Sequence, residues 1–269
     1  MSHDSTIAPT EVPLRRVGSF KPDLLQTENH GLCPGCGHPI GVRIILEVLQ
    51  EMNLANRSIC ILGHGCYGTF QSKLDIESIL SLHGRSPAVA TGMKRMRPDC
   101  AIFTLQGDGD MVSEGLAEVM HTAARGESVT CFLLNNGVFG DTGGQMTATT
   151  VVGQRTKNTL EGRNPTYHGH PIPIAEIVAR MPGVAYVARG SVHAAPDTVR
   201  TRRYVRKAFE HQMQGNGFTL VEMLTMCPTG WFVPTPQGPN YLNETLQKVY
   251  PLGELRDIRA EKNGTPLHR

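Results

Sequence analysis

Absences set the first limits on this chain of 269 residues. No run approaches the roughly 20 apolar residues that a membrane helix needs. The start, MSHDSTIAPTEVPLRRVGSF, carries acidic residues and proline where a signal peptide has an apolar stretch. A cytoplasmic protein with no membrane partner is therefore expected. Charge of one sign is also lacking: 26 basic residues stand against 24 acidic ones, so bulk electrostatics gives no reason to expect nucleic acid. There is no internal repeat and no low-complexity tract. With 39% apolar residues, one large core is within reach. The seven cysteines cannot all pair, and a reducing cytosol disfavours disulfides. Metal or cluster ligation becomes the better explanation for them.

Proline-rich stretches fall near the ends, at 1–23 and 227–238. They suggest an N-terminal arm over 1–29, a domain over 30–230 and a C-terminal arm over 231–269. Within the domain, short apolar runs alternate with amphipathic stretches. Residues 58–62 (SICIL), 101–106 (AIFTLQ) and 128–134 (SVTCFLL) read as buried strands, as do 184–188 and 218–225. Residues 111–125, 173–181 and 197–213 read as helices, the first with Val112, Leu116, Val119, Met120 and Ala123 on one face. This succession predicts an α/β fold, a doubly wound and mostly parallel sheet. Ligands gather at the carboxyl ends of such strands. Cys66, Asp108, Asn136 and Cys227 each follow a strand end closely, so all four should meet at one sheet edge.

Two stretches carry the chemistry. LCPGCGH, at 32–38, reads as a zinc clip, a redox dithiol or half of an iron–sulfur site. A c-type haem site is excluded because Gly37 separates Cys36 from His38. A thioredoxin-like dithiol fits poorly, because the pair follows a polar arm instead of a strand. In QGDGD, at 106–110, Gly107 and Gly109 let the backbone turn and approach a diphosphate. Asp108 offers a hard oxygen to Mg2+. Asn136 comes 28 residues later and can add an amide oxygen, and the Val138 carbonyl a third. GDGD alone also suits a plain strand-to-helix turn; the NN pair one αβ unit away favours the metal reading. Cys60, Cys100 and Cys131 read as small buried hydrophobes. His83 and Arg85 precede Ser86-Pro87, a helix start with Ser as cap, and can reach a diphosphate or a substrate carboxylate. Arg200, Arg202, Arg203, Arg206 and Lys207 read as a solvated face, with docking of an acidic electron acceptor as the alternative.

GDG followed by NN resembles the thiamine diphosphate signature. CPGCGH, GHGCYGT (63–69), HGRSPAVATGMKRMRPD (83–99), QGDGD, NNGVFGDTGGQMTATT (135–150) and CPTGW (227–231) together resemble successive blocks of the β subunit of 2-oxoacid:ferredoxin oxidoreductases. The resemblance implies the thiamine diphosphate-binding fold and a 4Fe-4S cluster on Cys33, Cys36, Cys66 and Cys227, with zinc on the same thiolates as runner-up. It implies cofactor contacts from Cys66, Tyr67, Gly107, Asp108, Gly109, Asp110, Asn136, Val138, Phe139, Thr142 and Gly143. Mg2+ would sit on Asp108, Asn136 and Val138, and His83 and Arg85 would act in catalysis. The implied reaction is CoA-dependent oxidative decarboxylation of a 2-oxoacid, with electrons passed to ferredoxin. Two departures stand out: Phe139 where relatives often carry Tyr, and Asp141 where an apolar residue is usual. A pyrimidine-binding domain with its activating glutamate is not expected within this length. The resemblance therefore implies α and γ subunits, and a δ ferredoxin-like chain as a further partner. CPTGW and TGGQ look closer to 2-oxoglutarate and branched-chain types than to pyruvate types. The competing readings are a non-redox thiamine lyase subunit, without a cluster, and a zinc-stabilised binding module, without either cofactor.

Overall fold

The computed structural model describes residues 22–27 and 29–262. Most of the N-terminal arm expected over 1–29 lies outside that range. The strands, in chain order, are β1 (Ser58–Leu62), β2 (Glu77–Leu80), β3 (Ala101–Gly107), β4 (Thr130–Asn135), β5 (Val138–Phe139), β6 (Gln145–Met146), β7 (Val184–Ser191), β8 (Phe218–Leu224) and β9 (Gly253–Asp257). β5 and β6 form a small hairpin. The other seven make one sheet in the order β2-β1-β3-β4-β8-β7-β9. Every neighbouring pair in it is parallel except β7 with β9. β1, β4, β7 and β8 are buried at every position, which is why they read as continuous apolar runs.

Helices cover both faces. α1 (His38–Glu51) places Val42, Ile45, Leu46 and Leu49 at helical spacing on its buried side, with Pro in its first turn. It ends beside Asn53, whose φ of 54° is one that Asn tolerates. α2 (Ser86–Met96), α3 (Leu116–Ala124), the single turn α4 (Pro165–His168), α5 (Ile174–Ala179) and α6 (Ala195–Met213) follow. α1 and α6 cover one face, where Phe103, Phe132 and Phe209 pack edge to face with centroids 5.3–5.8 Å apart. On the other face α2, α3 and α5 lay Ala90, Val119 and Val178 over Ile102, Leu133 and Leu220. The doubly wound, mostly parallel sheet is as expected.

Three expectations need correction. Residues 111–125 do not form one helix, because a wider π-type turn spans Gly109–Glu114 before α3 begins. That turn buries Asp110 and Met111. Ser86 does not cap α2; its hydroxyl lies 2.7 Å from Ser81 Oγ. The basic run on α6 lies at the surface as expected, with Arg202 and Arg206 paired with Glu51 of α1 and Lys207 with Glu254 at 2.7 Å. The segment from 231 does not extend away as an arm. α7 (Pro228–Trp231), α8 (Gly238–Glu244) and α9 (Leu246–Val249) lead into β9, burying Leu242, Leu246 and Tyr250. Among the described residues, no helix is long and apolar enough to cross a membrane.

Candidate functional site

β1, β3, β4 and β8 are side by side and parallel, so the loops leaving their carboxyl ends share one rim. Cys66 lies four residues past β1, Asp108 and Asn136 directly follow β3 and β4, and Cys227 lies three past β8. Cys33 and Cys36 come from the turn before α1, closed by Cys36 N donating to Cys33 O at 3.1 Å. Gly37 N donates to Met226 O at 2.9 Å, which ties this turn to the exit of β8. A Cβ on Gly140 would sit 3.4 Å from Cys227 Sγ and 3.5 Å from Cys66 Sγ, so that glycine leaves room between the sulfurs. Burial pushes the thiols of Cys36, Cys66 and Cys227 up to about 12. Mutual repulsion adds to this, and every pair among the four sulfurs is near enough to contribute to it. Asp141, the residue without an assigned role, adds a further negative charge beside Cys66. Cys60, Cys100 and Cys131 are buried in the core.

Asp108 is 1% exposed. Thr147 and Thr149 hydroxyls donate to its Oδ2 at 2.6 and 2.7 Å, and Asn136 N lies 3.4 Å from Oδ1. Desolvation raises its carboxyl to about 6 despite these bonds. The Asn136 side-chain oxygen accepts from Val138 N at 3.0 Å. The Asn136 carbonyl takes the indole N–H of Trp231 at 2.7 Å. Asp110 points the other way: Gly84 N and Gln106 Nε2 each donate to it at 2.7 Å, and His83 Nδ1 is 2.9 Å away. Gly63 is obligatory here, since a Cβ would fall 1.8 Å from Asp110 Oδ2. Gly109 makes room for the Phe139 ring, which a Cβ would meet at 2.2 Å.

These groups line a cleft of about 240 Å³ that holds Cys66, Tyr67, His83, the Gly107–Asp110 turn, Asn136, Val138, Phe139 and Thr142. His64 joins them, its ring stacked on His83 with centroids 6.1 Å apart. Two expected residues stand elsewhere. Arg85 is in an ion pair with Glu118 on α3 and does not line the cleft. Gly143 faces Lys157, which a Cβ there would meet at 3.0 Å, and does not line the cleft.

Residues 63–223, more than half of the chain, match the family described as thiamine pyrophosphate enzyme, C-terminal TPP binding domain. The chain is 32% identical over 216 residues to the 2-oxoglutarate synthase subunit KorB of Archaeoglobus fulgidus, covering 80% of this chain and 76% of that one. The chain belongs to the β-subunit family of 2-oxoacid:ferredoxin oxidoreductases. The ketoisovalerate oxidoreductase subunit VorA of Methanothermobacter thermautotrophicus is 36% identical over 229 residues, covering 85% of this chain and 48% of the relative. The chain thus spans about half the length of that relative. A solved 2-oxoglutarate:ferredoxin oxidoreductase from Magnetococcus marinus, with 2-oxoglutarate, coenzyme A and succinyl-CoA bound, superposes with a TM-score of 0.72 over 92% of both chains. At 24% identity that likeness speaks for the fold alone.

In this β subunit the structure adds residues that sequence reasoning missed. Thr147 and Thr149 fall inside the quoted NNGVFGDTGGQMTATT block, but only the fold shows their hydroxyls on Asp108. His38 is 3% exposed, and burial holds its imidazole down at about 4. Its Nε2 lies 3.3 Å from Asn136 Nδ2, and its Nδ1 has no partner. Arg163 is 5% exposed and donates to six backbone carbonyls at 2.6–3.2 Å, those of Thr147, Ala148 and Thr150 among them. It therefore fixes the loop that brings both threonines to Asp108. Arg163→Met leaves these carbonyls without their donor, and we expect it to lower stability by about 3 kcal/mol or more; urea unfolding at neutral pH measures the loss.

Proposed function

We propose that this chain holds thiamine diphosphate, Mg2+ and a 4Fe-4S cluster, and that it serves in a CoA-dependent enzyme that oxidatively decarboxylates a 2-oxoacid and passes electrons to ferredoxin. The observation that carries this reading is the shared rim: Cys66, Cys227 and the buried Asp108 at the ends of adjacent parallel strands, with the turn of Cys33 and Cys36 tied to the exit of β8 through Gly37 N and Met226 O. The residues fit those groups. Asp108 is a buried acid whose carboxyl desolvation raises, and Mg2+ wants such a hard oxygen. The Asn136 side-chain oxygen and the Val138 carbonyl would be the further ligands. Thiols that burial keeps protonated become thiolates when a metal compensates their charge. Among the described residues no three His, Cys, Asp or Glu side chains are gathered around a single metal ion. Cys33, Cys36, Cys66 and Cys227 would be the ligands of the cluster, which takes four thiolates.

The bound groups would supply carbanion stabilisation at the 2-oxo carbon and one-electron acceptance. The chain's own contribution is placement. The Gly107–Asp110 turn lines the cleft, where its N–H groups would receive the diphosphate, as at other helix starts that bind anions. Asp110 Oδ1 lies 2.9 Å from His83 Nδ1, and His83 Nε2 would be the atom that exchanges a proton in the cleft. Phe139 and Tyr67 exclude water from the cleft wall. Partner α and γ chains, with a δ chain or free ferredoxin as acceptor, complete the assembly. The apolar side chains that lead into His83 support such a partner: Leu80 is 41% exposed and Leu82 77%. The purified complex should reduce ferredoxin in the presence of CoA and either 2-oxoglutarate or 3-methyl-2-oxobutanoate, and faster than with pyruvate. Absence of CoA-dependent acceptor reduction with all three would overturn the assignment.

A further inference from the structure

We infer that Glu222 and Arg189 are positioning residues for the cofactor edge, holding the carboxamide of Asn135 and, through Thr149, the carboxylate of Asp108. The inference rests on the reading of Asp108 as the metal ligand. Asn135 is the last residue of β4 and is fully buried. Its Nδ2 donates to Glu222 Oε1 at 2.7 Å. Its Oδ1 accepts from Gly137 N at 3.0 Å and lies 3.2 Å from Thr149 Oγ1. That same hydroxyl is 2.7 Å from Asp108 Oδ2, and with one proton to give it links the two acceptors. On the far side, Glu222 Oε2 accepts from Arg189 Nε at 2.7 Å. Arg189 stands opposite Glu222 in the β7–β8 register, and its remaining nitrogens grip Glu176 at 2.8 and 2.6 Å. One hydrogen-bonded chain thus runs under three adjacent strands, from Glu176 to the carboxylate at the rim.

Core stability alone does not account for this arrangement. Arg189 is 0% exposed and Glu222 1%, and removing two such charges from water is costly. Apolar residues of similar volume often serve a core as well or better. What the ion pair supplies is direction. A carboxylate facing Asn135 accepts only a donor, so Nδ2 must face Glu222 and Oδ1 must face Gly137 N. This orientation sets the turn from which Asn136 and Val138 reach the cleft. Outer partners of a metal ligand act in this way on affinity.

The test uses the apo form of the assembled complex and equilibrium dialysis of thiamine diphosphate over a range of Mg2+ concentrations. The double variant Arg189→Met/Glu222→Leu removes both charges together, so no buried ion is orphaned. It is expected to weaken cofactor retention about 10–100-fold and to raise the Mg2+ needed for half-saturation, while unfolding well above the assay temperature. A folded double variant that binds as tightly as wild type would overturn the proposal. Glu222→Gln covers the case of misfolding: Arg189 claims its one oxygen, an amide then meets Asn135, and affinity should fall about three- to ten-fold; unchanged affinity overturns the proposal equally. A wild-type complex that binds no thiamine diphosphate removes the cofactor assignment itself and this inference with it.

Discussion

An Asp108→Ala chain is expected to emerge from purification without thiamine diphosphate, a loss larger than the roughly 10–100-fold caused by removing an outer partner of a metal ligand. Mass spectrometry of the denatured complex reads this directly, and cofactor retained at the wild-type level would count against Asp108 as the metal ligand. The same residue makes an opposite prediction for the cofactor-free protein. Its carboxyl stands at 3.8 ordinarily and at about 6 in the fold, because burial outweighs the two threonine hydroxyls and the Asn136 amide. The folded value is the higher one, so the folded chain binds the proton more tightly. Its stabilising contribution is complete below 3.8 and is lost as pH rises through about 6. At pH 7 without a cation, the ionised carboxylate costs the fold about 3 kcal/mol. Asp108→Asn should therefore stabilise the cofactor-free chain at pH 7 by about that amount, with the advantage shrinking towards pH 4. Urea unfolding of both proteins across this range decides it; an Asn variant less stable than wild type at pH 7 contradicts the account. Function here opposes stability, as expected of a buried charge kept for a ligand.

The second large effect belongs to sulfur. Replacing Cys36 with Ser removes one of four thiols whose loops come from distant parts of the chain, and a hydroxyl is a poor substitute for a thiolate at iron. Iron should fall from roughly four atoms per chain towards zero, with acid-labile sulfide falling in parallel. Cys60→Ala provides the contrast. Cys60 is a β1 residue 1% exposed, so its loss should leave the iron content unchanged. Iron lost equally in both variants would mean that general stability, not ligation, controls the cluster.

The parts of this architecture that were legible in the sequence are those where local pattern and tertiary role coincide. β1, β3, β4, β7 and β8 are buried strands in a parallel sheet, so each is a short apolar run bounded by turn residues. Spacing from those runs placed Cys66, Asp108, Asn136 and Cys227 at a common edge. β2 and β9 gave no such signal. Glu77–Leu80 is four residues of mostly exposed edge strand, and Gly253–Asp257 (GELRD) pairs antiparallel on one side only. The proline-rich segment after Cys227 looked like an arm because proline disfavours long helices, yet Leu242, Leu246 and Tyr250 anchor it. Long-range polar pairs were the least visible. Glu222 sits in FTLVEMLT and Arg189 in VAYVARGS, each a lone charge in an apolar strand. Two opposite lone charges in strands that could neighbour one another were the available sign of a buried pair. Arg85 was misplaced for a related reason, since the helix face that presents Glu118 to it lies one αβ unit further along the chain.

The most direct test of the shared rim is to quantify iron, acid-labile sulfide and thiamine diphosphate in the anaerobically purified complex, normalised to this chain and compared with a complex carrying Cys66→Ser. We predict about four iron, about four sulfide and one thiamine diphosphate per chain, with iron and sulfide lost in the variant. Zinc in place of iron, or thiamine diphosphate bound without either iron or sulfide, would contradict the account.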